Sequence, residues 1–189
     1  MRTDRALTKK TVATYADVLL GSAQEEGYAF DLLRQIKEVA STIGSHKELG
    51  RTLMDGKVPL ETRMGILSDI FGDASPALAT TLGIMLERDD LGVLDLVPDA
   101  LEELIQEKLG TTIVYVTTAI PLDDELRRSI TEKLATEYGT RIHLEESVDP
   151  SIIGGIVMNA LGQRIDASIN AQLRNARLVL TTETTGGEG

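Results

Sequence analysis

As far as Leu109 the apolar residues of this chain recur at helical spacing. After Gly110 they give way to TTIVYVTTAI, a run of β-branched and aromatic residues closed by Pro121. A period near 3.6 and a period of 2 cannot serve the same element. The sequence therefore divides near Gly110 into a helical part and a part that contains strand. No Gly-, Ser- or Pro-rich linker separates them.

Composition says what the core is made of and which chemistries are absent. Hydrophobic residues make up 42% of the 189, but aromatics only 3% with no Trp, so the core is aliphatic. Leu and Ala ridges of that kind interdigitate most easily between helices. With no Cys, disulfides, thiolate catalysis and Cys-ligated metals are excluded. The net charge of −11 divides as 12 basic and 19 acidic residues up to Gly110, and 7 basic and 11 acidic beyond it. Neither part offers the concentrated basic face that nucleic acid requires. The basic start, with Arg2, Arg5, Lys9 and Lys10, reads as a solvated helix entry. No apolar run reaches signal-peptide or membrane-spanning length, and a soluble intracellular protein is the simplest expectation.

Six helices are predicted before Gly110. The first, over 9–26, carries Val12, Ala16, Leu19 and Ala23 as a stripe that Tyr15, Val18 and Leu20 broaden. A stripe that wide suggests a second contact beyond the core. The second covers 30–43, with Gly44 and Ser45 closing it. A short helix follows over 47–54, and another opens at Pro59 and stops at Gly72. Ser75-Pro76 is a start signal, with Ser as cap and Pro at the first helical position. The helix it opens carries Leu78, Leu82, Met85 and Leu86 on one side and Ile84 on another, until Asp89, Asp90 and Gly92 interrupt it. The sixth covers 94–109.

The remainder reads strand, helix, strand, strand, helix. Residues 113–120 form the first strand. Asp123, Asp124 and Glu125 mark a helix N-terminus, where negative charge meets the dipole, and Gly139 is its stop. Strands follow at 141–148 and 156–160, and Leu161-Gly162 turns the chain into 163–165. Asp166 is expected to cap a last helix striped with Ile169, Leu173, Ala176 and Leu180, and 181–189 to be a disordered tail.

No constellation of catalytic groups emerges. His46 and His143 lack a partner at metal-ligand spacing, and Gly154-Gly155 lacks the Lys-Ser/Thr that completes a phosphate loop. Adjacent acids such as Asp89-Asp90 or Asp123-Asp124-Glu125 read as capping groups, not as a converging acid–base pair. A two-faced adaptor without cofactor or metal is the expectation.

The stretch VDPSIIGGIVMNALGQRIDASINAQLRNAR resembles the C-terminal signature of the delta subunit of F-type ATP synthase, the counterpart of the mitochondrial oligomycin-sensitivity-conferring protein. The matching positions are Asp149-Pro150, Gly154-Gly155, Gly162, Ile165-Asp166-Ala167-Ser168, and Leu173 with Arg174 and Arg177. Ala167 stands where the family usually has Gly. TVATYADVLLGSAQEEG resembles the family's first helix, SPALATTLGIMLERDDLGVLDLV its fifth-helix region, and IVYVTTAIPLDDELRRSI the opening of its C-terminal domain.

The resemblance implies a mainly α fold: an N-terminal six-helix bundle over 1–110 and a small α+β domain over 111–180. It implies a non-catalytic stator subunit of the peripheral stalk, held at the cytoplasmic face of the membrane without inserting into it. The bundle would bind N-terminal segments of the alpha subunits through its first and fifth helices, and the second domain the C-terminal end of the b-subunit stalk. From the stripes we assign Val12, Tyr15, Ala16, Leu19, Leu78 and Leu82 to alpha, and Ile169, Leu173 and Leu180 to b. Asp149, Pro150, Gly154, Gly155, Gly162, Asp166 and Ser168 are expected to build the framework of the second domain. An unrelated helical adaptor that stands alone is the alternative.

Overall fold

The structure is a computed structural model that describes residues 2–23 and 26–169. Among these residues the fold is mainly helical, with seven α-helices, one 3-10 segment and a four-stranded sheet toward the C-terminus. The chain forms two compact units, Met1–Leu109 and Gly110–Gly189.

In the first unit α1 spans Arg2–Ser22, α2 Glu26–Ser45, α3 Lys47–Met54, α4 Leu60–Ile70, α5 Pro76–Glu87 and α6 Val97–Leu109. α1 packs against α5, α6 and α2, and α2 packs on α6. Leu19, Leu32, Ile36, Leu78, Leu86, Leu101 and Ile105 are completely buried between them. Each such side chain contributes about 2 kcal/mol of burial, which is how an aliphatic core holds without tryptophan.

Three boundaries differ from the sequence reading. α1 begins seven residues earlier than 9 and ends at Ser22, because the polar residues before Lys9 propagate a helix whose apolar stripe starts only at Val12. α2 begins at Glu26, since Ala29 and Phe30 already face the core. The segment 94–109 is not one helix: Leu91–Leu96 is 3-10, and α6 starts at Val97. Pro98 has no N–H to give Leu94, so it is tolerated only in a first turn. Ser75 sits at the cap position of α5 but makes no capping bond. Its hydroxyl is buried without a partner, while its amide donates to Gln35 Oε1 at 2.9 Å.

In the second unit β1 is Thr111–Thr118, α7 Asp124–Tyr138, β2 Arg141–Val148, β3 Ile156–Ala160 and β4 Gln163–Asp166. The strand order is β2-β1-β3-β4. β2 runs parallel to β1 after the α7 crossover, while β3 and β4 are antiparallel neighbours. β1 starts two residues before 113 and stops at Thr118, leaving Ile120 outside the sheet. Leu161 and Gly162 both have positive φ, 49° and 74°, the conformation that closes a two-residue hairpin with the right twist.

α7 has the caps that its ends predict. Asp123 accepts the Leu126 amide at 2.7 Å, and Gly139 closes the helix in the left-handed region at φ 67°. Its apolar side packs on the sheet in a cluster of Val114, Val116, Leu122, Leu134 and Ala160, with Ile130, Ile142, Leu144, Ile156 and Met158 around them, so β1, β2 and β3 all contribute. Arg127 fastens α7 to β2: its guanidinium reaches both carboxylate oxygens of Glu146, Asp124, and the Leu122 carbonyl.

Candidate partner-binding surfaces

The residues assigned from sequence to the alpha contact lie inside the first unit. Val12, Tyr15, Ala16, Leu19, Leu78 and Leu82 are all buried. These six side chains pack inward among α1, α5, α6 and α2, while Val18, which broadens the α1 stripe, stays exposed.

What α1 and α5 leave outside are the apolar residues off those stripes. Leu7 is 65% and Val18 51% exposed on α1, and Ile84 38% on α5. Leu7, Thr11 and Val18 recur at i, i+4 and i+11, one row along the helix. Asp17, nearly a quarter-turn away from Val18, pairs with Lys108 of α6 at 2.6 Å. The Leu7–Val18 row therefore flanks α1 on the side turned from α6 and next to Tyr15. On α5, Ala79 and Gly83 face α4, where they line a groove of 320 Å³ with Met64 and Phe71. Ala77, Thr81 and Ile84 lie on the opposite flank. Val18 and Ile84 were visible in the sequence as apolar residues outside the main stripes.

Two acids after α5 have specific partners. Tyr15 donates its hydroxyl to Asp90 Oδ2 at 2.7 Å. Burial, then this bond, pushes the Tyr15 phenol up to about 12, against the pull of Arg88 beside it. Asp89 accepts from Arg63 Nη1 at 3.0 Å, and Arg63, though cationic, is only 6% exposed. Asp89 and Asp90 thus follow the end of α5 with both carboxylates engaged by side chains of other helices.

In the second unit α7 packs on the sheet against β1, β2 and β3. Beside it runs an open groove of 670 Å³ lined by Ile120, Leu126, Ile130, Ile153, Ile156, Met158 and Ile165, with Asp123, Lys133 and Glu137 along the α7 side. Ile120 is 74% and Ile153 69% exposed, values unusual for isoleucine in a folded unit. Ile120 was read as the end of the first strand but lies past β1, which stops at Thr118, and Ile153 belonged to no predicted element.

The framework residues surround this groove. Gly155 has φ 86°, and a Cβ there would lie 2.5 Å from the Ala167 carbonyl, so only Gly lets the two segments meet. Ala167 donates to the Ile156 carbonyl, and its φ is not positive, so alanine fits where the family usually has glycine. Asp149, before Pro150, accepts the Ser151 amide at 2.9 Å, and Ser151 holds its carboxyl below the usual range. The helix that Asp166 is expected to cap lies, beyond Ile169, outside the described residues. Asp166 ends β4 and takes the amide and hydroxyl of Ser168, at 3.1 and 2.6 Å, which places Ser168 directly before the helical Ile169. Ile169 is 41% exposed and lies against Gly154 at the groove margin. Leu173 and Leu180, with the 181–189 tail, lie outside the described residues.

His46 Nδ1 faces the Thr42 carbonyl, and His143 pairs with Glu145 at 3.1 Å. Among the described residues no three His, Cys, Asp or Glu side chains converge on a metal position, and no helix is long and apolar enough to cross a membrane.

Residues 12–180 match the family described as ATP synthase delta (OSCP) subunit. The ATP synthase subunit delta of Synechococcus sp. (strain RCC307) is 34% identical over 173 residues, covering 90% of this chain and 96% of that protein. Its counterpart in Prochlorococcus marinus subsp. pastoris is 28% identical over 177 residues, covering 93% and 98%. The fold is similar to a chain of the Toxoplasma gondii mitochondrial ATP synthase hexamer, with a TM-score of 0.50 and 18% identity over 90% of this chain and 97% of that one. The chain belongs to the ATP synthase delta (OSCP) subunit family.

Proposed function

We propose that this chain, a non-catalytic peripheral-stalk subunit of ATP synthase, ties the catalytic headpiece to the b-subunit stalk through two separate surfaces. The helices before Gly110 act as one six-helix bundle that holds alpha N-terminal segments. The domain over 111–180 holds the C-terminal region of b. Held at both ends, the headpiece resists the torque of the rotor, and proton flow is converted to ATP instead of idle rotation. Attachment to the cytoplasmic face of the membrane is indirect, through b.

The observation that carries this reading is that each unit keeps its own exposed apolar surface. A partner helix docks by anchors at i, i+3, i+4 and i+7 in a groove between helices, or between a helix and a sheet. For alpha the groove lies between α1 and α5, edged by Leu7, Thr11 and Val18 and by Ala77, Thr81 and Ile84. For b it is the groove beside α7, where Ile120, Ile153 and Ile165 stand exposed.

Binding of an alpha N-terminal peptide and of a b C-terminal peptide is to be measured by calorimetry on the full chain. Val18→Asp with Ile84→Asp is expected to weaken alpha about tenfold or more and leave b unchanged; Ile153→Asp with Ile165→Asp is expected to do the reverse. Binding of neither peptide to the wild type would favour the stand-alone adaptor. Loss of both peptides from either variant, with circular dichroism unchanged, would contradict two independent surfaces.

A further inference from the structure

α5 ends in a Schellman arrangement: the Asp90 amide bonds the Met85 carbonyl at 2.8 Å and the Asp89 amide the Leu86 carbonyl at 3.2 Å. The residue between the helix and this closure must be left-handed, and glycine normally occupies it. Here it is Asp89, at φ 55°. An L side chain persists in that region when the surroundings fix it. The surroundings do so through two adjacent carboxylates that reach in different directions. Asp89 goes to Arg63 of α4, whose Nη1 also donates to the Leu53 carbonyl at the end of α3. Asp90 goes to Tyr15 of α1. Both partners are 6% exposed, so their polar ends have little access to water as a substitute.

We infer that Asp89-Asp90 is a two-sided latch that fixes the end of α5 between α1 and α4 and so presets the width of the α1–α5 groove. This rests on the reading of that groove as the alpha site. Tyr15 and Asp90 are positioning residues: they touch no partner, but they hold the two walls at the separation a partner helix needs. A groove set in advance binds more tightly because less is ordered on association.

The chain has no cysteine, so Val18→Cys and Ile84→Cys, both at exposed positions, give a unique pair of spin-label sites across the groove. In the full chain the label distance is expected to be narrowly distributed. Tyr15→Phe or Asp90→Ala broadens it, while Asp90→Asn, whose amide oxygen still accepts the Tyr15 proton, keeps it narrow. Alpha-peptide affinity falls about tenfold in Tyr15→Phe and Asp90→Ala, stays near wild type in Asp90→Asn, and falls no further in the double variant. The latch is overturned if the distance distribution is the same in all variants, or if Asp90→Asn behaves like Asp90→Ala. Should the wild type fail to bind the alpha peptide, the assignment of the groove is wrong, and the label distances still decide the latch.

Discussion

Leu19 and Ile153 are similar aliphatic side chains with opposite fates. Leu19 lies on the widest helical stripe of the first unit and is wholly buried; Ile153 sits in a loop of the second and is 69% exposed. The first unit spends its apolar periodicity on its own core, because α1 is surrounded by α2, α5 and α6. The second, among the described residues, has one helix on its four-stranded sheet and an apolar groove beside that helix. Stripe width therefore reports core in the first unit. The apolar residues left exposed, which we propose as partner surface, lie at the stripe's edge or in loops.

The largest expected effect tests that contrast directly. Leu19→Ala removes a side chain with no exposure and is expected to cost about 3 kcal/mol in urea unfolding of the first unit. Ile153→Ala is expected to stay within about 0.5 kcal/mol, because water already covers the site. Comparable costs at the two positions would mean that the groove beside α7 is closed in solution, and the contrast would fail.

A second pair sharpens the comparison inside the C-terminal unit. Gly155 and Gly139 both have positive φ, 86° and 67°. A Cβ at Gly155 meets backbone atoms of Ala167 and Ser168 at 2.5 and 2.8 Å, whereas one at Gly139 meets nothing. Gly139→Ala is expected to cost about 1 kcal/mol from conformation alone, and Gly155→Ala about 2–3 kcal/mol because rigid backbone must also shift. Equal thermal shifts for the two variants would show that the Gly155 segment is not tightly seated against Ala167.

Much of the fold was legible because local chemistry and tertiary role agreed. Asp123 and Gly139 bound α7 by capping chemistry that operates within four residues. Gly162 and the alternation of 156–160 marked the β3–β4 hairpin for the same reason. The misplaced features depend on contacts distant in sequence. Ser75 has the right identity for a cap, but Gln35, forty residues away, takes its amide. Asp89-Asp90 does stop α5, as the sequence reads, but nothing nearby in sequence shows that Arg63 and Tyr15 converge on its carboxylates. The burial of the six residues assigned to alpha was likewise not legible: periodicity identifies a stripe but not how many neighbours share it, and α1 packs against α2, α5 and α6.

Titration at the two ends of the pH scale should separate the units by the smallest effects. Tyr15 has its folded pKa raised to about 12 from 10.0. A raised pKa contributes stability that is fully present below the unfolded value and is lost as pH rises through the folded one. The first unit should therefore lose about 1 kcal/mol near pH 11 relative to Tyr15→Phe, which has no proton to release. Glu146 in the second unit has the opposite sign. Its bond to Arg127 holds its carboxyl below the usual 4.5, so its contribution is present above that value and disappears as pH falls through the folded pKa. The pair is partly exposed, and the slope it adds is shallower than that of Tyr15. Glu146→Gln should flatten the acid limb of the second unit's melting temperature and leave the alkaline limb of the first unchanged. If the acid limb keeps its slope in Glu146→Gln, then Arg127 does not hold α7 to β2 through that carboxylate, and the buried face of α7 alone fastens it to the sheet.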